Sequence, residues 1–435
     1  MTSNIGLKKN YFNKSPFVSN VLALASGAAL SQIITMAFTP VITRLYGPDA
    51  YGIQSVFLSI AATIAPIAAM TYPLAIVLPK KDNDALKLVY LSILLGIAFS
   101  LFITGLIYIY GEKILQLLHA NTISNIKYFI PIFIIISVIG NVFKQWAIRK
   151  RTFSLIAKAI ILQAFVINLL KVKLGLINPT ATSLITTGVL GELFGAFILM
   201  LGFHKSRVTN HLEYNDTGQH LSMWAVAKKH RDFPILRAPQ TLINVLSQSL
   251  PTILLATYFG PTSAGLYSIA LTVLTMPSVF IGEPVMQVFY PLINETIHKG
   301  EDSKALIIKA TLGLALTAGL PFLIIMIAGP TIFLWFFGAK WYTAGVYAQY
   351  LSPWLFLQCI NKPAVSAIPS LFLQKGLLIY ELISTGTKVL ALYIGYFFYK
   401  NDIIAIALFS VTGSIAYIYL IIWVINHSRK IIKIT

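Results

Sequence analysis

Tyr46-Gly47-Pro48-Asp49-Ala50-Tyr51-Gly52-Ile53 and Phe259-Gly260-Pro261-Thr262-Ser263-Ala264-Gly265-Leu266 are two copies of one pattern, aromatic-Gly-Pro-x-x-x-Gly-aliphatic. Each copy joins two long apolar runs, and a Gly-Pro pair marks a tight turn. The flanks match in the same order. Ser31-Gln32 precedes the first copy as Ser247-Gln248 precedes the second, and Tyr72-Pro73-Leu74 follows the first as Tyr290-Pro291-Leu292 follows the second. Three ordered matches at nearly one spacing imply a chain built from two similar halves.

The composition says what those halves are. Of 435 residues, 57% are hydrophobic and 11% charged, where a soluble protein carries about 25% charge. Mean hydropathy is +0.77. These values exclude a soluble globular protein, a disordered chain and a secreted disulfide scaffold, and leave a polytopic membrane protein. The net charge of +19 does not signal nucleic acid, because the basic residues lie between long apolar runs. A single cysteine, Cys359, permits no intramolecular disulfide. The seven histidines (His119, His204, His211, His220, His230, His298 and His427) read as loop residues without metal-pair spacing. The apolar run from about residue 20 to 42 is too long for a cleaved signal peptide and reads as a first span.

Apolar windows of about 20 residues, enough to cross a bilayer, fall near 20–42, 51–77, 86–110, 128–148, 154–176, 181–203, 239–259, 265–290, 306–328, 345–362, 376–398 and 402–425. Twelve spans put both termini on one side. Of the 33 Lys and Arg, 24 fall on that side and seven opposite, which predicts cytoplasmic termini. The expected organisation is a six-helix lobe over 1–203, a cytoplasmic loop over 204–238 and a second six-helix lobe over 239–435. An even number of spans per half gives both halves one orientation, with a repeat axis along the membrane normal. Transporters with such parallel repeats bind substrate between the halves.

Charged and amide side chains inside spans are costly and mark candidate functional positions. Arg237, Gln240, Asn244 and Gln248 follow one another at three, four and four residues, which puts them on one narrow helical face. Their expected role is to line a hydrophilic cavity; interhelical hydrogen bonding is the structural alternative. Asn141, Lys144 and Gln145 repeat the pattern on the fourth span. Glu381, Thr385 and Lys388 share a face of the eleventh. The seven steps from Glu381 to Lys388 span about 10.5 Å of helix axis, too far for a direct pair. Glu192, beside Gly188, Gly191 and Gly195, and Glu283 are also embedded; with Glu381 they are candidates for ion coupling or static counter-ions. Arg44 sits at a cavity mouth or in the headgroups. Lys171 and Lys173 read as residues reaching the interface, and Trp335, Trp341 and Trp354 as interfacial anchors. No Walker A sequence, Gly-x-Ser-x-Gly or paired-acid motif occurs, so no catalytic residue is assigned and no metal site or cofactor is expected.

The stretch from Phe233-Pro234-Ile235-Leu236-Arg237-Ala238-Pro239-Gln240 to Gly265-Leu266-Tyr267 resembles the polysaccharide transporter family. Thr43-Arg44-Leu45-Tyr46, Leu74-Ala75-Ile76-Val77-Leu78-Pro79, Gly338-Ala339-Lys340-Trp341-Tyr342-Thr343-Ala344-Gly345 and Ser352-Pro353-Trp354 resemble it too. These are Wzx-type flippases of the multidrug/oligosaccharidyl-lipid/polysaccharide, MATE-like superfamily. The resemblance implies an all-α polytopic membrane protein with twelve transmembrane helices in two six-helix lobes around a cavity. It implies translocation of an undecaprenyl-diphosphate-linked oligosaccharide, an O-antigen or other surface-polysaccharide unit, to the periplasmic leaflet of the bacterial inner membrane. An H+ or Na+ gradient is the candidate driving force. Membrane lipids and the polymerase and chain-length proteins of the pathway are the expected partners, and nucleic acid is not. Cations at Arg44, Lys144, Arg237 or Lys388 suit a diphosphate, and the amides suit sugar hydroxyls. A MATE-like drug or metabolite exporter is the alternative. A membrane glycosyltransferase or polymerase fits less well with short outer loops, and a non-transporting scaffold fits less well with embedded charge.

Overall fold

The computed structural model describes residues 16–117, 126–210, 222–299 and 301–428. Lys8, Lys9, Lys14, His119, His211, Glu213, Asp216, His220, Arg429, Lys430 and Lys433, which bear on the charge and histidine readings above, lie outside them. Twelve long helices follow one another: α1 (Pro16–Leu45), α2 (Pro48–Ala68), α3 (Asp82–Leu117), α4 (Phe129–Arg149), α5 (Phe153–Ile177) and α6 (Ala181–Asn210) form the first set. The second set is α7 (Ala238–Phe259), α8 (Pro261–Ile297), α9 (Ser303–Phe337), α10 (Tyr342–Ile360), α11 (Gln374–Tyr399) and α12 (Asp402–Ser428). His204, His298 and His427 thus lie on helices rather than in loops.

Eleven helices among the described residues are long and apolar enough to cross a membrane. The exception is α10, where twelve equal spans were expected. It is wrapped by α8, α9 and α12, so most of its surface meets protein rather than acyl chains. A helix in that position can carry the half-buried Gln349 and Gln358 and the buried Tyr347. The prolines act locally. Pro234 lies in, and Pro239 just after, a wide turn at Phe233–Arg237, and Pro277 and Pro284 bracket another at Ser278–Gly282. Proline removes an N–H from the helical ladder, and a π-type turn accommodates the missing bond.

The apolar cores follow the two halves of the chain. One apolar core draws almost wholly on α2–α6; two others draw on α7–α12, with Ile42, Tyr46, Tyr51 and Leu184 added from the first half. The connection between halves is not a free loop. Its short helix Met223–Lys229 packs on α3, and Val226 and Ala227 join the first core. Ser222 caps this helix by accepting from the Ala225 N–H at 3.1 Å. Tyr72 Oη donates to the Ala227 carbonyl at 3.2 Å, and Thr71 Oγ1 to the Phe233 carbonyl at 2.9 Å.

The two Gly-Pro motifs explain where the lobes meet. Pro48 and Pro261 open α2 and α8, and those ends cross in contact. A Cβ on Gly52 would lie 1.7 Å from the Pro261 carbonyl oxygen, and a Cβ on Gly265 would lie 1.9 Å from that of Pro48. Only glycine allows backbones this close. Around the crossing, the Trp341 indole donates to the Thr43 carbonyl at 2.9 Å and stacks edge-on with Tyr51 at 5.2 Å. Arg44 Nη2 donates to the Trp335 carbonyl at 3.2 Å. Arg44 therefore bridges the lobes at the face of the α1–α2 turn. Trp341 is 0% and Trp354 7% exposed, so neither is an interfacial anchor; both fill the second lobe's core. Trp335, 80% exposed, remains at the surface.

Candidate functional site

The lobes break their symmetry at one helix pair, and the break makes a cavity. In the first lobe α1 lies along α5. Gly27 sits against Ala157, Asn168 Nδ2 donates to Thr35 Oγ1 at 3.3 Å, and Tyr46 Oη donates to the Lys171 carbonyl at 3.0 Å. The equivalent pair in the second lobe is α7 and α11. These helices meet through an aromatic cluster near the α7–α8 turn, where Tyr258 stacks on Tyr396 at 4.6 Å. Below that cluster α7 leans onto α2 of the other lobe and leaves α11.

The space opened between them is a cavity of about 440 Å³ walled by α7, α8, α10, α11 and α12. From α7 come Asn244, Ser247 and Gln248; from α11 come Tyr380, Glu381, Ser384, Thr385 and Lys388; from α10 and its end come Trp354, Gln358 and Asn361. Lys388 is the cation of this cavity. Its Nζ lies 5.8 Å from the Trp354 ring centre and 5.9 Å from that of Phe409, an arrangement that holds an ammonium by cation–π attraction. Among the described residues, no carboxylate lies in salt-bridge range of it. Glu381 shares the cavity wall, two helical turns away.

Amides and hydroxyls surround these charges. Gln248 Nε2 donates to Asn244 Oδ1 at 2.9 Å, and Gln358 Nε2 donates to Tyr417 Oη at 3.0 Å. Trp354 Nε1 and Asn361 Oδ1 are buried in the wall without a protein partner among the described residues. One is a donor and the other an acceptor. The Trp354 indole nitrogen packs against Gly413 of α12, so it lies inside the wall.

The remaining sequence candidates go elsewhere. Arg237 and Gln240 share the α7 face but bond each other, Nη1 to Oε1 at 3.1 Å, outside the cavity. Asn141, Lys144 and Gln145 on α4 are also outside it, with Lys144 exposed. Glu192 accepts from Gln163 Nε2 at 3.0 Å and from Ser137 Oγ at 3.4 Å. That network ties α4, α5 and α6 together where Gly191 and Gly195 admit α5 closely. Glu283 is ion-paired with Lys362, which locks α8 to the end of α10. Thr385 lies in the cavity as the α11 face predicts. Gln358, Asn361, Trp354 and Tyr417 escaped the sequence reading. Trp354, Gln358 and Asn361 are spaced by four and three on one face of α10, which was the available signal.

Comparison with known proteins agrees with this architecture. Residues 41–346 match the family model described as polysaccharide biosynthesis protein. The succinoglycan biosynthesis transport protein ExoT of Rhizobium meliloti (strain 1021) is 22% identical over 308 residues, covering 69% of this chain. The match spans 58% of that relative's own length. Among solved structures, the inward-facing conformation of a multidrug resistance MATE family transporter of the MOP superfamily superposes with a TM-score of 0.62 at 13% identity. That match covers 96% of both chains. A mutant of the Vibrio cholerae MATE transporter VcmN gives 0.57 at 16% identity, over 95% of this chain and 96% of that one. With the matched model running through both Gly-Pro motifs and across the lobe junction, the chain belongs to the polysaccharide biosynthesis protein family and has the all-α, multi-pass membrane fold of the MATE transporters.

Proposed function

We propose that the protein is a flippase that carries an undecaprenyl-diphosphate-linked oligosaccharide across the bacterial inner membrane by alternating access of its lobes. The observation that carries the reading is the cavity behind α7. It offers one ammonium with no salt-bridge partner among the described residues, Lys388, amid amides and hydroxyls. A diphosphate needs a cation, sugar hydroxyls need amide partners, and both need shelter from hydrocarbon, where each unsatisfied polar group costs several kcal/mol. Aromatic faces such as Trp354 suit the apolar faces of a sugar ring. The family match and the likeness to a transport protein of succinoglycan biosynthesis support the same substrate class.

In this reading Asn244, Gln248 and Lys388 bind substrate. Glu381, in the cavity wall, is the candidate for coupling to an H+ or Na+ gradient. Glu192 and Glu283, each already bonded, serve as static counter-ions. Arg44 acts at the lobe junction, and Arg237, Gln240, Asn141, Lys144 and Gln145 act outside the closed cavity. The excess of Lys and Arg on the side of the termini supports a cytoplasmic position for that side. Pathway polymerase and chain-length proteins are the proposed partners. The second reading, a drug or metabolite exporter, is favoured by the MATE fold and by Glu381 in the same wall, whereas Lys388 and the surrounding amides favour an anionic glycan head.

The deciding experiment reconstitutes the full chain in vesicles containing fluorescent undecaprenyl-diphosphate-linked glycan and follows its appearance in the outer leaflet. Translocation lost in Lys388→Glu and kept in Lys113→Glu is the expected result. Equal rates in vesicles with and without protein would overturn the reading.

A further inference from the structure

A basic cavity lies at one end of the first lobe, apart from the polar one. It encloses about 370 Å³ between the turn that precedes α3 and the connection between the halves. Lys80, Lys81 and Asp84 line one wall, and Lys229 and His230 the other. Three lysines thus meet one carboxylate, and Asp84 lies 3.7 Å from Lys87, which is outside the cavity wall. The neighbouring Asp82 is engaged by Arg149 at 2.9 Å and by Lys150. A cavity that gathers ammoniums in excess of carboxylates suits an anion. Its surroundings are those of a membrane surface. One apolar segment of spanning length begins at Asp82 and another at Phe233, so the cavity lies beside the starts of two spans, where headgroup phosphates sit. On the connecting helix Trp224 is 79% exposed, and in the cavity wall Leu78 is 58% exposed. Trp224 and the exposed Lys228 are four residues apart and share a helix face; tryptophan beside lysine marks an interfacial segment.

We propose that this cavity binds the phosphate of an anionic phospholipid headgroup in the leaflet beside the connection. Lys80, Lys81 and Lys229 donate to the phosphate oxygens, and Leu78 and Trp224 meet the boundary between headgroup and acyl chain. Basic pockets at span ends take acidic headgroups in this way. A zwitterionic lipid would bring a further ammonium among the three already gathered. A dissolved phosphate would leave Leu78 and Trp224 in water. The two walls belong to separate segments, so the bound phosphate ties the connection, and the start of α7 behind it, to the first lobe. The inference goes beyond the flippase reading and stands without it.

The test titrates the full chain in detergent with phosphatidylglycerol, phosphatidylcholine or inorganic phosphate. Native mass spectrometry counts bound lipid, and amide exchange is followed over residues 226–232. Phosphatidylglycerol should bind roughly tenfold more tightly than phosphatidylcholine and slow exchange in that segment. Lys80→Gln combined with Lys229→Gln should lose roughly 10- to 30-fold in phosphatidylglycerol affinity, and Lys80→Arg combined with Lys229→Arg should keep it. Lys228→Gln combined with Arg231→Gln removes the same charge outside the cavity wall and should also keep it. Equal losses in the two glutamine pairs would mark diffuse surface attraction and overturn the proposal, as would equal binding of the two lipids. Inorganic phosphate that slows exchange as strongly as phosphatidylglycerol would assign the cavity to a dissolved anion and overturn the lipid.

Discussion

Replacing Gly265 by alanine should drive the lobes apart at the α1–α2 turn. The new Cβ would lie 1.9 Å from the Pro48 carbonyl oxygen and 2.8 Å from the Gly52 nitrogen. Ordinary contact begins near 3.4 Å, so the ends of α2 and α8 must separate by about 1.5 Å along that line. Both opposing atoms are backbone, and no side chain can swing away. Overpacking of this kind costs about 1–3 kcal/mol. The cost falls only on the conformer in which the lobes touch here, so that conformer should lose population by roughly 5- to 150-fold. Asp49 and Thr262 flank the crossing and are exposed. Cysteines placed there can be spin-labelled against a quiet background, because the lone native Cys359 is 0% exposed. Pulsed electron resonance should then show a longer-distance population in Gly265→Ala that is minor in the parent. Gly386→Ala, with nothing within 4 Å of its Cβ, is the control. An unchanged distance distribution in folded Gly265→Ala protein would refute the reasoning, and Gly52→Ala should repeat the result.

Lys388→Ala should weaken binding of the lipid-linked glycan by about 10- to 150-fold, the worth of a charged hydrogen bond, measured by flotation with labelled substrate; Lys144→Ala should leave it unchanged. Trp341→Phe keeps most of the packing but deprives the Thr43 carbonyl of its donor, and should cost about 1–3 kcal/mol, read as a lower melting temperature in detergent. Glu283→Lys and Lys362→Glu should each lower the melting temperature, and the double swap should recover most of the loss, since each single variant leaves two like charges at one site.

Much of this was legible from the residues. Helix periodicity and apolar length located each span, because in a bilayer almost every backbone group must be bonded within its own helix, but α2 ends at Ala68 rather than 77 and α9 runs on to Phe337 rather than 328. The paired Gly-Pro motifs were legible as a repeat, although their role as the crossing point of the lobes was not. That role depends on the packing of α2 against α8, which neither copy encodes alone. The face Asn244–Gln248 and the cavity wall Glu381–Lys388 followed from spacing. Arg237 did not join them, because Gln240 lies one turn away and takes its guanidinium. Trp341 and Trp354 misled because tryptophan near a span end usually sits in the headgroups; here α10 is enclosed by its neighbours, and both rings turn inward. The divergence of α7 from α11 has no signature in either helix, since it arises from their different partners.

The crossing of α2 and α8 is reciprocal: Gly52 faces Pro261 and Gly265 faces Pro48. That is the geometry of an isologous interface, the kind two identical subunits form about a dyad. Neither copy is free to drift alone, because a side chain gained on one strikes the carbonyl of its twin.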